Sequence, residues 1–311
     1  MTEERTATMR DMAVLDLTGM SSPDELASVS LIENISLVLV PESLSGELAK
    51  IPMRGVASVV PVPDGADVRV HTGAAVFGGE ALADPGGDNV VLVVTGTLAL
   101  TSPVEHVGYR QVIVTGMVLA PAGSEGALAA GLTKVTGSVQ YYEHVEGQRF
   151  RNLSGQTKIS GEALANRGGN PSDVLFLTGQ TMITGPAPEV GFQTIVAAGQ
   201  LIAPRDSEVA LMSALTMQGQ LVWYDGDPRF FSGSESFGRA FFELLDDPLS
   251  LVLLGSFTIE DDVPPELLRE KVSGITLVGK LIASKEVVPV LQLLVTEKQG
   301  TITTEQDAGE R

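Results

Sequence analysis

The chain has 311 residues, with 39 acidic and 20 basic side chains and a formal net charge of −19. This excess of acid disfavours binding to nucleic acids and to anionic membranes, because their phosphates attract Lys and Arg. No Cys is present, which excludes disulfides, thiolate nucleophiles and Cys-ligated metal centres, while 43% hydrophobic residues suffice for a folded core.

The first twenty residues mix acids and bases without an apolar leader, and no apolar run reaches the roughly 18 residues of a membrane span. We therefore predict a cytoplasmic protein without membrane insertion. The predicted organisation is a disordered segment over 1–22, one elongated domain over 23–304 and a disordered charged tail over 305–311. Within that domain, residues 23–34 are predicted to form an N-terminal cap, with a short helix over Asp24–Asn34.

Long internal repeats run through the chain. The segment EALADPGG (80–87) returns as EALANRGG (162–169), and KVTGSVQYY (134–142) returns at the same offset as TMQGQLVWY (216–224). A looser copy covers 249–304, and 33–65 resembles a degenerate first copy. Four copies of one unit, here called the long repeat, therefore account for most of the chain.

A shorter period lies inside each copy. Glycines between apolar residues recur at intervals of about 20 residues or slightly more, as in solenoid proteins. Four such segments, here called rungs, make one long repeat. Glycine at a fixed place in a rung permits a positive φ or a close backbone approach. The glycines of this series are Gly73, Gly96, Gly116, Gly137, Gly155, Gly179, Gly199, Gly219, Gly233, Gly255, Gly279 and Gly300.

Each rung reads as a β-segment, a turn and a short return. Val, Ile and Thr are enriched before and after the glycine, and a Pro followed by an acid recurs between the apolar stretches, as at Pro121 and Glu125. A unit of about 20 residues cannot bury a core alone, whereas stacked rungs can. The predicted fold class is mainly β: a parallel β-solenoid with short helical or extended returns. The alternative is an antiparallel sandwich in which the glycines mark hairpin turns.

The rung sequences YRQVIVTGMVL (109–119), FQTIVAAGQLI (192–202) and VSGITLVGKLI (272–282) resemble the consensus line of short bacterial leucine-rich repeats. That family carries an Asn that bonds the turn along the stack, where this chain has Met117, Gln200 and Lys280. The chain also resembles parallel β-solenoids of the bactofilin and pectin-lyase-like kind. Either resemblance implies stacked parallel strands.

Residues for catalysis, cofactors or metals do not form a recognisable constellation. The three His residues, His71, His106 and His144, are far apart in sequence. His106 and His144, which stand next to Glu105 and Glu143, are predicted to lie in exposed turns. The carboxylate pairs lie beside Pro or Gly, where turns favour Asp. These pairs are Asp246 with Asp247, Asp261 with Asp262, and Asp225 with Asp227. We assign no catalytic, cofactor-binding or metal-binding residue and expect no enzyme.

Aromatic residues mark candidate surfaces. Tyr141 and Tyr142 stand one long repeat before Trp223 and Tyr224, in a chain with only 5% aromatic residues. These four residues are a candidate partner surface, although strand alternation would bury one ring of each pair. Phe230 and Phe231 are candidate assembly contacts, as are Thr301 and Thr303 in the last rung.

The leading functional hypothesis is a non-catalytic scaffold or protein-interaction solenoid that binds a protein partner or itself. The last rung should leave an unpaired strand edge, while the predicted cap covers the first rung. Unequal ends favour a tail-to-tail homodimer. The alternative is a carbohydrate-binding or carbohydrate-active β-helix that uses the aromatic pairs and acids on one face.

Overall fold

The computed structural model describes residues 7–304, and the fold is mainly β. Short α-helices and single 3₁₀ turns connect the strands. The strands are β1 (Ala7–Asp16), β2 (Val29–Pro41), β3 (Met53–Arg54), β4 (Val59–Val62), β5 (Asp67–Phe77), β6 (Val90–Leu100), β7 (Gln111–Pro121), β8 (Leu132–Val135), β9 (Val139–Tyr142), β10 (Phe150–Ser160), β11 (Val174–Thr184), β12 (Thr194–Pro204), β13 (Leu215–Tyr224), β14 (Arg229–Phe237), β15 (Leu249–Ile259), β16 (Val272–Ala283) and β17 (Val295–Thr304). The helices are α1 (Pro23–Ala27), α2 (Ser45–Leu48), α3 (Gly79–Ala83), α4 (Glu125–Gly131), α5 (Glu208–Met212), α6 (Arg239–Glu243), α7 (Pro265–Lys271) and α8 (Val288–Leu294).

The strands form four sheets, one for each long repeat. Sheet A has the order β1-β2-β3, with β4 also paired to β2, and sheet B has the order β5-β6-β7-β8, with β9 paired to β7. Sheets C and D are β10-β11-β12-β13 and β14-β15-β16-β17. Every strand pair in residues 7–304 is parallel. The prediction of parallel strands is confirmed, and the antiparallel sandwich is wrong.

The predicted glycines lie side by side across the sheets. In sheet C, for example, Gly155 pairs with Gly179, which pairs with Gly199 and then Gly219. An added Cβ on Gly199 would overlap the carbonyl oxygen of Gly179, so each strand after the first needs glycine for close backbone approach. We call each such row a glycine column.

In sheet A, residues other than glycine occupy most of the positions that correspond to the glycine column. Asp11 and Asn34 adopt the left-handed conformation, with φ of 58° and 54°, and Gly55 follows with φ of 61°. Asp and Asn tolerate this conformation better than other side chains, because their short polar groups bond locally. Here Asn34 Nδ2 donates to Asp11 Oδ1 at 3.1 Å.

Each sheet closes a hydrophobic core against its own return segments. In sheet B, Leu92, Leu98 and Val118 pack with Leu82 of α3 and Leu128 of α4. The central strands are buried on both faces because the opposite face packs on another sheet. The first such contact, between sheets A and B, joins Leu37, Leu39, Val60 and Val62 with Val91, Val93 and Ile113. The second, between sheets C and D, joins Met182, Ile202, Val222 and Tyr224 with Val252, Leu254 and Val278.

The chain divides into two compact units, Met1–Gln148 and Arg149–Arg311. The first unit contains sheets A and B, and the second contains sheets C and D. The predicted single domain over 23–304 spans both units.

The N-terminal predictions need correction. Residues 7–16, expected within a disordered segment over 1–22, form β1 and pair with β2. The predicted cap helix over 24–34 is limited to α1, which buries Leu26, and β2 begins at Val29. Alternating apolar residues after Val29 follow the strand period and dominate over the helical signal. The predicted tail at 305–311 and residues 1–6 lie outside the described residues.

Two buried serines connect successive rungs. Ser124 Oγ accepts a hydrogen bond from Val104 N at 3.0 Å, and Ser207 Oγ accepts one from Ala187 N at 2.6 Å. Both serines are fully buried and occur in matching segments, APAGSEGAL and APRDSEVAL. They bond a turn of the preceding rung, which is the role of Asn in leucine-rich repeats, although they lie in the return and not in the strand.

We expect Ser124→Ala or Ser207→Ala to lower the free energy of unfolding by about 1–3 kcal/mol, because a buried N–H loses its acceptor. Urea denaturation followed by circular dichroism measures this change. Ser213→Ala is the matched control: its hydroxyl is exposed and donates to Ala210 O, so its effect should stay within about 0.5 kcal/mol. Equal effects in all three variants would contradict the assigned role.

Candidate assembly surface

Every sheet ends in strands whose outer side has no partner strand among residues 7–304. The first strands are β1, β5, β10 and β14, and the last are β3 with β4, β8 with β9, β13 and β17. The first strands are mostly exposed, whereas central strands such as β6 and β11 are mostly buried. The expectation of one open edge beside a capped first rung is therefore wrong, because all four sheets have open edges on both sides.

The last strand, β17, contains both predicted threonines. Thr301 is exposed and Thr303 is partly buried, while Ile302 between them packs against the core of sheet D. An unpaired strand edge of this kind offers backbone N–H and C=O groups to another strand.

Sheet C carries a row of four glutamines directly after its glycine column. Gln180 Nε2 donates to Gln200 Oε1 at 2.6 Å, and Gln200 Nε2 donates to Gln220 Oε1 at 3.1 Å. Gln156 on β10 and Gln220 on β13 are the exposed first and last members. We call this row the glutamine ladder, and it was missed in the sequence. The repeated Gly-Gln dipeptides at 155, 179, 199 and 219 are its signal.

The exposed end of the second unit at β10 and β14 is basic. Arg151, Lys158 and Arg229 lie in these strands with one acid, Glu235, and none of the three cations forms a salt bridge within the described chain. Lys158 Nζ lies 5.7 Å from the centre of the Phe230 ring, so β10 and β14 lie at the same end of their unit. This patch contrasts with the net charge of −19.

The opposite end of this unit, at β13 and β17, has acidic flanks. Arg205 joins the two last strands, with 3.2 Å from Nε to Asp225 Oδ1 and 2.6 Å from Nη2 to Glu297 Oε1. Asp225 and the exposed Asp227 follow β13 directly. The two ends of the second unit therefore differ in charge.

The aromatic pairs point only partly outward. Tyr142 is buried and its hydroxyl donates to Leu100 O at 2.8 Å, while the buried Tyr224 donates to Ile183 O at 2.9 Å. Burial raises the pKa of both Tyr142 and Tyr224. Tyr141 is exposed, and Trp223 packs against the core of sheet C. The prediction that Tyr142 and Tyr224 contribute to a partner surface is wrong, because strand alternation directs both rings inward.

Phe230 and Phe231 serve the packing of their own unit. The Phe230 ring meets the Tyr224 ring edge-on at a centroid distance of 5.2 Å, and Phe231 meets Phe237 at 4.9 Å. Both phenylalanines are partly buried against core clusters. Their assignment as assembly contacts has no exposed ring to support it.

The histidines and carboxylate pairs do not combine into a reactive group. His106 lines a cleft of about 470 Å³ with Glu80, Ser102 and Glu105. There the Ser102 hydroxyl donates to Glu80 Oε2 at 3.0 Å and accepts from Gly79 N at 2.8 Å, so both bonds hold the turn. His71 packs edge-on against Phe77, and the predicted carboxylate pairs lie in exposed turns.

A second cleft, of about 490 Å³, lies between sheets A and B. Thr72, Thr95, Thr115 and Thr136 form its floor, in register along sheet B just before the glycine column. Lys134 Nζ donates to Ser58 Oγ at 2.6 Å beside it. In sheet D, Leu254 and Val278 occupy the corresponding positions and pack against sheet C. Hydroxyl side chains thus leave open a space that apolar side chains fill in the second unit.

Two further properties concern residues 7–304 as a whole. No group of three or more His, Asp or Glu side chains there could hold a metal ion, and none of the helices is long and apolar enough to cross a membrane.

Comparisons with protein-family models, curated proteins and solved structures found no match to this chain.

Proposed function

We propose that this chain is a cytoplasmic, non-catalytic structural protein whose rungs form a solenoid scaffold and whose copies associate through the end strands of their sheets. The observation that carries the proposal is the design of these end strands. In sheets C and D they keep the register and glycine column of the central strands, yet their outer backbone has no partner strand in residues 7–304. Such an edge is a template for pairing with another chain.

The distribution of side chains supports this function over catalysis. Buried polar groups such as Ser124, Ser207 and the Tyr224 hydroxyl all bond to the backbone of another rung, the adjacent one for the serines and the second one away for Tyr224. These hydroxyl groups therefore stabilise the contact between rungs and do not face a reactive site. The alternative of a carbohydrate-binding protein is less well supported, because two of the aromatic rings on which a sugar would stack are not available: Tyr142 is buried and Trp223 packs against the core of sheet C.

Sedimentation velocity over a wide range of protein concentrations tests the proposal. We expect reversible, concentration-dependent association of the full-length chain. Thr301→Lys combined with Thr303→Lys should weaken it, because lysines on an edge strand oppose strand pairing. Thr301→Ser with Thr303→Ser is the matched control and should associate like the natural chain. A monomer at all concentrations would overturn the proposed function.

A further inference from the structure

We infer that copies associate head to tail through sheet C: β13 of one copy pairs in parallel with β10 of the next. The inference rests on the proposed function and adds the partner, a second copy of this chain, and the two strands that meet. In this arrangement the glycine column and the glutamine ladder continue across the junction. Three features of sheet C support it.

The first feature is the space beside Gly155. Within the sheet, an added Cβ at Gly179, Gly199 or Gly219 would overlap the preceding glycine's carbonyl oxygen. At Gly155, whose φ of 83° by itself favours glycine, no atom lies within 4 Å of that position. A docked β13 would place the Gly219 carbonyl in this space, in the contact that every later strand of the sheet makes.

The second feature is the direction of the glutamine ladder. Each bond of the ladder runs from an Nε2 to the Oε1 on the following strand. The bonded part of the ladder runs from Gln180 to Gln220, whose Nε2 donates to no described residue, and the exposed Gln156 continues the row by strand register. Docking would let Gln220 Nε2 donate to Gln156 Oε1 of the next copy, and stacked Gln ladders of this kind stabilise pairing between chains.

The third feature is charge. The receiving end carries Arg151, Lys158 and Arg229. At the docking end Asp225 is paired with Arg205, and the exposed Asp227 is the acid after β13 that forms no salt bridge within the described chain. Opposite charges at the two ends favour head-to-tail contact and disfavour contact between two identical ends. Such a contact joins different surfaces of the two copies, so it leads to open chains unless a ring closes. This arrangement replaces the tail-to-tail dimer, whose premise was a capped first rung.

Paired charge substitutions test the contact between positions 156 and 220. Gln156→Glu with Gln220→Glu places like charges opposite each other only between copies, since the two positions lie about 14 Å apart within one sheet. We expect association to weaken by at least about tenfold. Gln156→Lys with Gln220→Glu should retain association and make it more sensitive to salt. Equal affinities of the two double variants would overturn the inference.

Gly155→Ala provides an independent test. Its Cβ meets no atom within one chain but would obstruct the docked carbonyl, so we expect a protein that still folds, with a strained backbone at this residue, and that associates more weakly. Gly147→Ala is the matched control, because Gly147 has φ of 81° against 83° at Gly155 and equally open surroundings. Circular dichroism confirms folding, and sedimentation velocity measures association. If the natural chain associates but Gly155→Ala does too, the inference fails and the proposed function stands; a monomeric natural chain contradicts both.

Discussion

Gly96→Ala is expected to destabilise the first unit by more than about 4 kcal/mol, enough to unfold a typical domain. Gly96 lies in the middle of β6 with φ of 135°, a conformation that side chains rarely adopt. Its added Cβ would also overlap the carbonyl oxygen of Gly73 on β5. Strand β6 is buried on both faces and cannot shift, so the overlap can be relieved only by displacing the edge strand β5 from the sheet. Urea denaturation of the full chain, followed by far-ultraviolet circular dichroism, measures the loss.

Gly73→Ala separates the two causes of this loss. Gly73 has φ of 92°, but no atom lies within 4 Å of its added Cβ. Only the backbone conformation is then strained, at a cost of about 1–3 kcal/mol. A loss at Gly73 as large as that at Gly96 would show that conformation, and not close approach between strands, explains the glycine column.

Asp173→Asn is expected to lower the free energy of unfolding by about 3 kcal/mol at neutral pH. The carboxylate is buried and accepts hydrogen bonds from Arg149 N at 3.0 Å and Asn170 N at 3.1 Å. Asn166 Nδ2 donates a third, also at 3.1 Å. An amide in its place turns one acceptor into a donor that faces another donor. Asp246→Asn, in an exposed turn, is the matched control and should change stability by less than about 0.5 kcal/mol.

The effect of Asp173→Asn should also depend on pH. Burial alone raises the pKa of Asp173, but the hydrogen bonds from Asn166, Arg149 and Asn170 outweigh it, so the pKa lies below its ordinary value. A lowered folded-state pKa means that the contribution is complete above the unfolded-state value of about 3.9 and is lost as pH falls through the folded-state value. Denaturation at pH 7 and at stepwise lower pH should show a shrinking difference between natural and variant chains. A constant difference would contradict the assigned ionisation.

The spacing of the glycines predicted much of the fold, and it also marks where one sheet ends and the next begins. Regular steps, as from Gly179 to Gly199, join neighbouring strands within a sheet. The steps from Gly137 to Gly155 and from Gly219 to Gly233 are the shortest of the series, and at these places the chain starts a new sheet. These short segments leave too few residues for a full strand and its return. Strand β1 does not stand out in the sequence, because Asp11 occupies the position of its bend that glycine occupies in later strands.

The candidate surface was less predictable. A Tyr-Tyr or Trp-Tyr pair does not show which ring faces inward, since that depends on the phase of the strand relative to the core. The glutamine ladder was missed because a single Gly-Gln dipeptide is typical of turns. Only the pairing of Gln180 with Gln200 in the sheet shows that such dipeptides stack.

The separate core of each sheet has a consequence for how the chain could have arisen. A block with the length of one long repeat carries a complete sheet, its returns and its own apolar cluster. Duplication of that block adds buried surface without changing the register of any existing strand pair. Duplication of one rung would instead insert an additional rung that lacks a counterpart in the facing sheet. Lengths in an evolving lineage should therefore change by whole blocks, and the paired sheets A with B and C with D favour changes of two blocks at a time.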